Sequence, residues 1–542
     1  MKKLFFTFLF ILTFISQNIS QNVWENNNSE VHTFLYRMAQ KGFIEYNDLI
    51  KPINRVSILN ALKVLKQKNS TLSIVEKKEL NFYLQEYTRP IKEQISIFKK
   101  DQNKRWRTGA IVSNDFEFYI DPLLSINNFS GTGKNISQLS NGFELWGTVG
   151  KNKNLGYQVY YRDYTETGTV NYNFREESAT PGNILIGAKL DNKINFTDIR
   201  ANINYSFRKG NISFGKDNML WGYGENSNIV LSNKAPSYPY IRLDYKPLKW
   251  LNFNYTNAWL NSNIADSSLS YFTNTGRINN DYRLLFVRKF LATHSLEIQA
   301  MKGLNIAIGE SIVYSDKMDP GFLIPINLFK FYDNNRSSYL IEAGSNGQYF
   351  LSVSSRNQIK NTHLYSTLFI DEIKVSSIFN KKESRNQLGY NLGGSITDIF
   401  IPYLSLGAEY TRVNPFVYSN LIPAQTYSSY NYSLGDWMGN NFDRAILFAK
   451  YTPIAKLKLV ARYQKIRKGG AGSIYEQYAV QPQPVFLFDY IKTRSDIFLQ
   501  ARYEYINNIY LTSSITLMQT KLANGNLVKD NTYQLGISVG LP

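Results

Sequence analysis

The chain has 542 residues, no cysteine, and 61 lysines and arginines against 42 aspartates and glutamates, a formal net charge of +19. The lack of cysteine excludes a disulfide framework, a thiolate metal site and a lipoprotein anchor. Aromatic residues make up 15% of the chain, with 39 Tyr and 34 Phe, more than a soluble secreted domain needs; this composition favours a transmembrane β-barrel, whose aromatic rings sit at both lipid–water interfaces.

In chain order, Lys2 and Lys3, the apolar run from Leu4 to Ile15 and the small or polar residues Ser16 to Ser20 read as a signal peptide over residues 1–20. The run is shorter than the roughly 20 residues a spanning helix takes, and no later segment is long and apolar enough. Cleavage near Ser20 removes Lys2 and Lys3 and leaves +17 (19 − 2). A basic exported protein is suited to anions, so anionic polysaccharide and lipid head groups are candidate partners beside ordinary solvated lysine. Nucleic acid is not expected, because export removes it and no recognition motif appears.

Residues 21–104 read as a small periplasmic helical bundle. Ser29 caps a first helix whose Val31, Phe34, Leu35 and Met38 form an i, i+3, i+4, i+7 stripe ending at Gly42. A second helix follows Pro52, with Val56, Leu59, Leu62 and Leu65 on one face. Ser73 and Glu76 make a capping box that opens a third, carrying Leu80, Leu84 and Tyr87 before Pro90. Ile91, Ile95 and Phe98 suggest a fourth short piece. A bundle of roughly eighty residues is marginal alone and needs a platform to dock on.

From about Arg105 the period changes to two. Ile199, Ala201, Ile203, Tyr205 and Phe207 alternate with Asp198, Arg200, Asn202, Asn204 and Ser206, and similar segments run from Leu404 to Thr411, Leu457 to Gln464 and Asp496 to Tyr505. The fold class is mainly β: an outer-membrane antiparallel β-barrel over residues 105–542, with apolar residues toward lipid and charged ones lining the lumen. About 440 residues at roughly 24 per strand and half its connections predict roughly 18 strands. Tyr533, Leu535, Ile537, Val539 and Leu541 form a closing strand, and Thr452-Pro-Ile-Ala455 reads as a short turn. The long connections 217–238, 261–280, 413–441 and 467–492 are expected outside the cell, with the helices plugging or flanking the periplasmic mouth.

Candidate chemistry is sparse. His32, His294 and His363 have no second histidine at metal-ligand spacing, and His294 and Ser295 are adjacent and so on opposite faces of a strand. No catalytic residue, metal or cofactor is expected. Trp221-Gly-Tyr-Gly-Glu225 lacks the Lys and Ser/Thr of a nucleotide loop; it reads as a barrel-rim loop, or as a sugar site in which Trp and Tyr rings stack on pyranose C–H faces. Candidate glycan contacts are Trp221, Tyr223, Asn226, Tyr430 and Trp437. Glu409 with Glu310 has the composition of a glycosidase pair, but lumen carboxylates normally pair with arginines. The expected lumen charge network joins Glu409 to Arg200, Arg242, Arg412, Arg462 and Arg502. Alternation from Leu304, Ile306 and Ile308 puts Glu310 on the lipid face unless Gly309 marks a bulge.

The block Gly210 to Tyr245, with Trp221-Gly-Tyr-Gly224, Leu231-Ser-Asn-Lys-Ala235 and Pro239-Tyr-Ile-Arg-Leu243, resembles the signature of the Wzi-type capsule-assembly outer-membrane proteins. Phe34 to Arg37 with Lys41 to Ile44 and Pro52 to Arg55, then Arg288 to Glu297, Ile308 to Tyr314 and Asn334-Asn335, resemble that family's earlier and middle segments. Glu409 to Arg412 with Pro415 and Tyr418, and Leu434-Gly435 with Gly439-Asn440, resemble its late ones. The resemblance implies a barrel with a periplasmic helical bundle, acting without catalysis as a lectin that tethers capsular polysaccharide, embedded as a monomer in outer-membrane lipid. The Asn-, Lys- and Tyr-rich composition is in the style of Bacteroidetes-type members, among which are proteins similar to the gliding motility protein RemB. A channel for small solutes and a gliding-motility accessory are the alternative functions.

Overall fold

The computed structural model describes residues 21–169, 178–185, 192–273, 282–340, 344–372, 386–480 and 482–541; the signal-peptide expectation lies outside them. Eighteen antiparallel strands close into a barrel. The first is broken at Leu123 into Phe116–Pro122 and Leu124–Gly131, both paired with Lys134–Val149. Leu124–Gly131 also pairs with the last strand, Thr532–Val539, and shuts the ring. Phe116–Pro122 instead continues into Trp106–Val112 and Gln94–Lys100, a hairpin that extends the sheet beyond the ring. The fourth helical piece expected around Ile95 is therefore a strand.

Period-two alternation forms these strands, and burial gives its sense. Along Lys193–Phe207 the apolar Ile203 is 54% exposed while the polar Asn204 is fully buried. Ser352 and Ser354 are likewise buried, with Leu351 and Leu364 exposed beside them. The wall is thus apolar outside and polar inside, the reverse of a soluble sandwich and the arrangement that matches a bilayer. Connections at one end are tight, such as Arg208-Lys209 between Lys193–Phe207 and Gly210–Asp217, and long at the other. The turn expected at Thr452 lies two residues later: Phe442–Ile454 runs through Pro453 at a register shift, where a missing N–H is tolerated. Glu310 needs no bulge, because both its neighbouring strands pair through Gly309 without a shift, so its side chain does project from the outer face.

Helices α1 (Glu30–Gln40), α2 (Arg55–Gln67) and α3 (Ile74–Tyr87) start at Ser29, Asn54 and Ser73. Asn54 accepts from the Val56 N–H, and Ser73 with Glu76 forms the full capping box. Phe34, Leu35, Met38, Leu59, Leu62, Leu65 and Leu80 form their common core. The bundle sits on the short-turn end of the barrel. Glu86 of α3 holds it to the extended hairpin: burial raises this carboxyl, but the guanidiniums of Arg105, Arg107 and Arg55 outweigh that and keep it well below the usual range.

His32 on α1 is buried, with Nδ1 2.9 Å from the Tyr46 hydroxyl and Nε2 3.1 Å from the Asn26 carbonyl. Burial, aided by the Lys51 charge, pushes it down from 6.5 to about 3. A depressed histidine contributes stability that is complete above pH 6.5 and is lost as pH falls toward 3, by roughly 1.4 kcal/mol per pH unit. Urea unfolding of the full-length protein in detergent, followed by helical circular dichroism, should show the helix midpoint dropping between pH 7 and pH 5. His32→Gln should flatten that drop; parallel losses in both proteins would clear His32 of the effect.

Candidate functional site

An 18-strand ring is wider than its own side chains can fill, and this one is filled by inserted chain. From the short-turn end, the segment between α1 and α2 reaches inward. From the long-loop end, residues 218–237 fold down to meet it. The two join by backbone: Ile50 pairs with Trp221 and Lys51 with Leu220, and the Gly222 N–H donates to the Leu49 carbonyl at 2.8 Å. Gly222 at φ +131° makes this crossing, a conformation side chains resist. Above them lies the connection 414–441. Tyr418 and Tyr427 donate their hydroxyls to the Ile229 and Val230 carbonyls at 2.6 and 2.8 Å, and the Ser232 N–H donates to the Leu434 carbonyl at 2.6 Å.

The wall grips this column through inward charges. Glu409 Oε2 accepts from the backbone N–H groups of Glu225 and Asn226, both at 3.0 Å, and from the Tyr365 hydroxyl at 2.5 Å. Lys450 Nζ is 2.6 Å from Glu225, Arg356 2.8 Å from Asp48, and Arg502 2.9 Å from Glu30. Lys458 bonds Glu79, which also meets Arg37. Arg444 joins Asp436 of the upper loop at 2.6 Å and the Ser227 hydroxyl at 2.6 Å. Wall cations thus meet carboxylates carried by the inserted chain.

The expected residues fall into separate places. Trp221 and Tyr223 are buried in the column, Trp221 edge-on to Phe350 and Tyr223 donating to Glu297 at 2.6 Å. Neither offers a ring face to a sugar, and Asn226 is engaged below them through its backbone. Tyr430 and Trp437 are on the upper loop. Tyr430 is 37% exposed; Trp437 is half-buried, with the Arg444 and Arg494 guanidiniums 5.3 and 5.9 Å from its ring. Of the expected network, Arg502 reaches Glu30, Arg242 reaches Asp244 and the Pro52 carbonyl, and Arg200 reaches Asp198. Arg462 lies over Phe498, and Arg412 is a correction: it shares the outward face of Tyr410 and stacks on Phe486 at 3.7 Å. Glu409 and Glu310 project from opposite faces of the wall and form no pair. Among the described residues no cluster of three potential metal ligands occurs.

Sequence reasoning missed Asp48, Arg356, Lys450 and Asp436. The inward parity of Arg356 and Lys450 was readable from their strands; their partners lie on segments whose insertion no local pattern announces. A cavity of about 310 Å³ remains between α1 and the wall, lined by Ser29, His32, Glu225 and Lys450 among others, and one of about 570 Å³ opens at the short-turn mouth beside Trp24, Asn54 and Arg242.

Replacing Glu409 with alanine leaves the two part-buried N–H groups and the Tyr365 hydroxyl without this acceptor and should loosen the column by about 1–3 kcal/mol locally. In planar bilayers the wild-type protein should be silent and Glu409→Ala should flicker open; a silent variant would show that Glu409 is dispensable for closure.

No family model matches the chain, and no curated protein sequence matches it. Solved structures do. Wzi of Escherichia coli, described as an outer membrane protein involved in group 1 capsule assembly and a carbohydrate-binding β-barrel, superposes with a TM-score of 0.59 at 12% identity, over 96% of this chain and 100% of that one. OccK5 (OpdH) of Pseudomonas aeruginosa gives 0.41 at 11% identity over 78% and 97%, and the outer membrane protein OprD of the same organism 0.40 at 12% over 78% and 93%. The chain has a Wzi-like barrel fold.

Proposed function

We propose that the chain is an outer-membrane glycan-binding protein whose long loops face outward and anchor or help assemble capsular or exopolysaccharide, with the helical bundle in the periplasm. The observation that carries this reading is the filled bore. Inserted chain from both ends is hydrogen-bonded into one column that occupies the bore, which makes the loop surface the working face. Short turns at the bundle's end of the barrel and long loops at the other support this orientation, since barrels of this kind carry short turns in the periplasm and long loops outside. That the similar Wzi structure is described as a carbohydrate-binding barrel supports the same reading.

The contact set narrows to residues the fold leaves accessible. Trp437 is half-buried and its ring is held by the Arg444 and Arg494 guanidiniums, themselves paired with Asp436 and Asp496, a fixed ring suited to stacking on a sugar. Tyr430 adds a second ring on the same loop, and Arg467 is half-exposed at the neighbouring strand end. Trp221 and Tyr223 serve by shaping the column beneath. A small-solute channel would require this column to leave.

Deletion in the source organism should leave total polysaccharide unchanged and shift it from the cells to the medium, with wild-type complementation restoring attachment. Trp437→Ala with Tyr430→Ala should reproduce the shedding while the barrel still assembles, scored by heat-modifiable migration. Unchanged attachment in the deletion strain would sink the tether.

A further inference from the structure

The chain between strands Leu304–Ser315 and Asn346–Arg356 does not rise away from the barrel but turns down over its outer wall. It carries a 3-10 turn, Pro320–Leu323, and helix α4, Phe329–Leu340. Phe322 and Phe329 are fully buried against outward-facing Tyr255, Phe290, Ala292, Ile312 and Tyr314. Polar contacts fix the depth. The Tyr255 hydroxyl donates to the Phe322 carbonyl at 2.9 Å, and His294 Nδ1 lies 3.0 Å from the Pro325 carbonyl. Glu310, halfway along its strand, accepts from the Phe329 and Lys330 N–H groups at 3.0 and 2.6 Å. A carboxylate on the lipid side of a barrel is costly; here it caps the first turn of α4, where unpaired N–H groups and the helix dipole favour an anion.

The segment's other face is apolar. Ile324, Ile326 (79% exposed), Leu328 and Phe331 (70%) point away from the wall, at the level of Glu310 and continuous with the exposed Ile308, Tyr349 and Leu351 of the strands beside it. Its buried carboxylates are matched within the segment: Asp319 accepts from the Gly321 N–H and the Tyr332 hydroxyl, each at 2.8 Å, and pairs with Arg336, while Asp333 accepts from the Ser345 N–H at 2.9 Å; the exposed polar residues Asp316, Lys317, Asn334 and Asn335 lie outside 318–331. We propose that residues 318–331 form a wall-bound element immersed in the bilayer, pinned by Glu310, whose apolar face is covered by lipid acyl chains. This rests on the barrel spanning a membrane, and it extends the lipid contact beyond the strands to a connection that length alone assigns to water.

The chain has no cysteine, so single-cysteine variants label cleanly. Ile326→Cys and Phe331→Cys, each carrying an environment-sensitive NBD label, are reconstituted in phosphatidylcholine/phosphatidylglycerol vesicles with or without doxyl-labelled lipid. Ile537→Cys on the closing strand and Tyr475→Cys on a long loop give the lipid and water references. Doxyl quenching at 326 and 331 should come within a factor of about two of that at 537, with little quenching by aqueous iodide. Iodide quenching matching position 475 overturns the proposal, as does shielding from both quenchers, which would mean a protein covers the face. Loss of doxyl quenching at 537 as well would instead overturn the membrane-spanning reading. In Phe331→Cys, adding Glu310→Ala should lower doxyl quenching and raise iodide quenching; an unchanged pattern overturns the pinning.

Discussion

The width of the bore is the constraint on which the rest of the structure depends. Eighteen strands enclose more space than inward side chains can occupy, and many inward side chains here are short polar ones such as Asn204, Ser295, Ser352 and Thr411. Filling the space with backbone brings donors and acceptors that must be matched where water is scarce. Two solutions recur. Backbone meets backbone at Ile50 and Trp221, and a wall carboxylate meets backbone donors where Glu409 receives the Glu225 and Asn226 N–H groups. The remaining charge is matched across the gap, with wall cations facing carboxylates on the column.

Much of this was legible in the sequence. Strand number followed from the length of the alternating region, and sidedness from the alternation itself, because a period of two survives whichever medium the apolar face meets. The three helices followed from their apolar stripes, and the third also from its Ser73–Glu76 cap; Ser29, expected to cap the first, makes no side-chain cap bond, and Asn54, which caps the second, was missed. Ile91, Ile95 and Phe98 misled because their spacing fits a helical face, although Gln94-Ile-Ser-Ile97 also alternates, and pairing with Trp106–Val112 decided the matter. Trp221 and Tyr223 misled for another reason. Aromatic residues among glycines suit a sugar site and a tight buried crossing equally, and only the position of Leu49 and Ile50 beneath them separates the two.

Glu310 is the instructive case between these. Alternation placed it toward lipid, and the chemistry of a carboxylate argued against that; a bulge was the local remedy. The structure keeps the register and changes the surroundings instead, laying α4 over the carboxylate. A conflict between levels of sequence reasoning marked a special site correctly while its resolution lay in a segment of no evident amphipathic pattern.

The same charge matching bears on whether the bore could open. Withdrawing the column would separate Arg356 from Asp48, Lys450 from Glu225 and Arg444 from Asp436, each with little or partial access to water, together with the backbone bonds at Ile50 and Trp221. A ligand that reverses a two-state equilibrium must supply differential affinity of about 5.5 kcal/mol. Opening the bore by such a ligand would have to work against the column's ion pairs, hydrogen bonds and apolar contacts together. A column matched to the wall in charge and held by backbone bonds is therefore a fixed part of the fold.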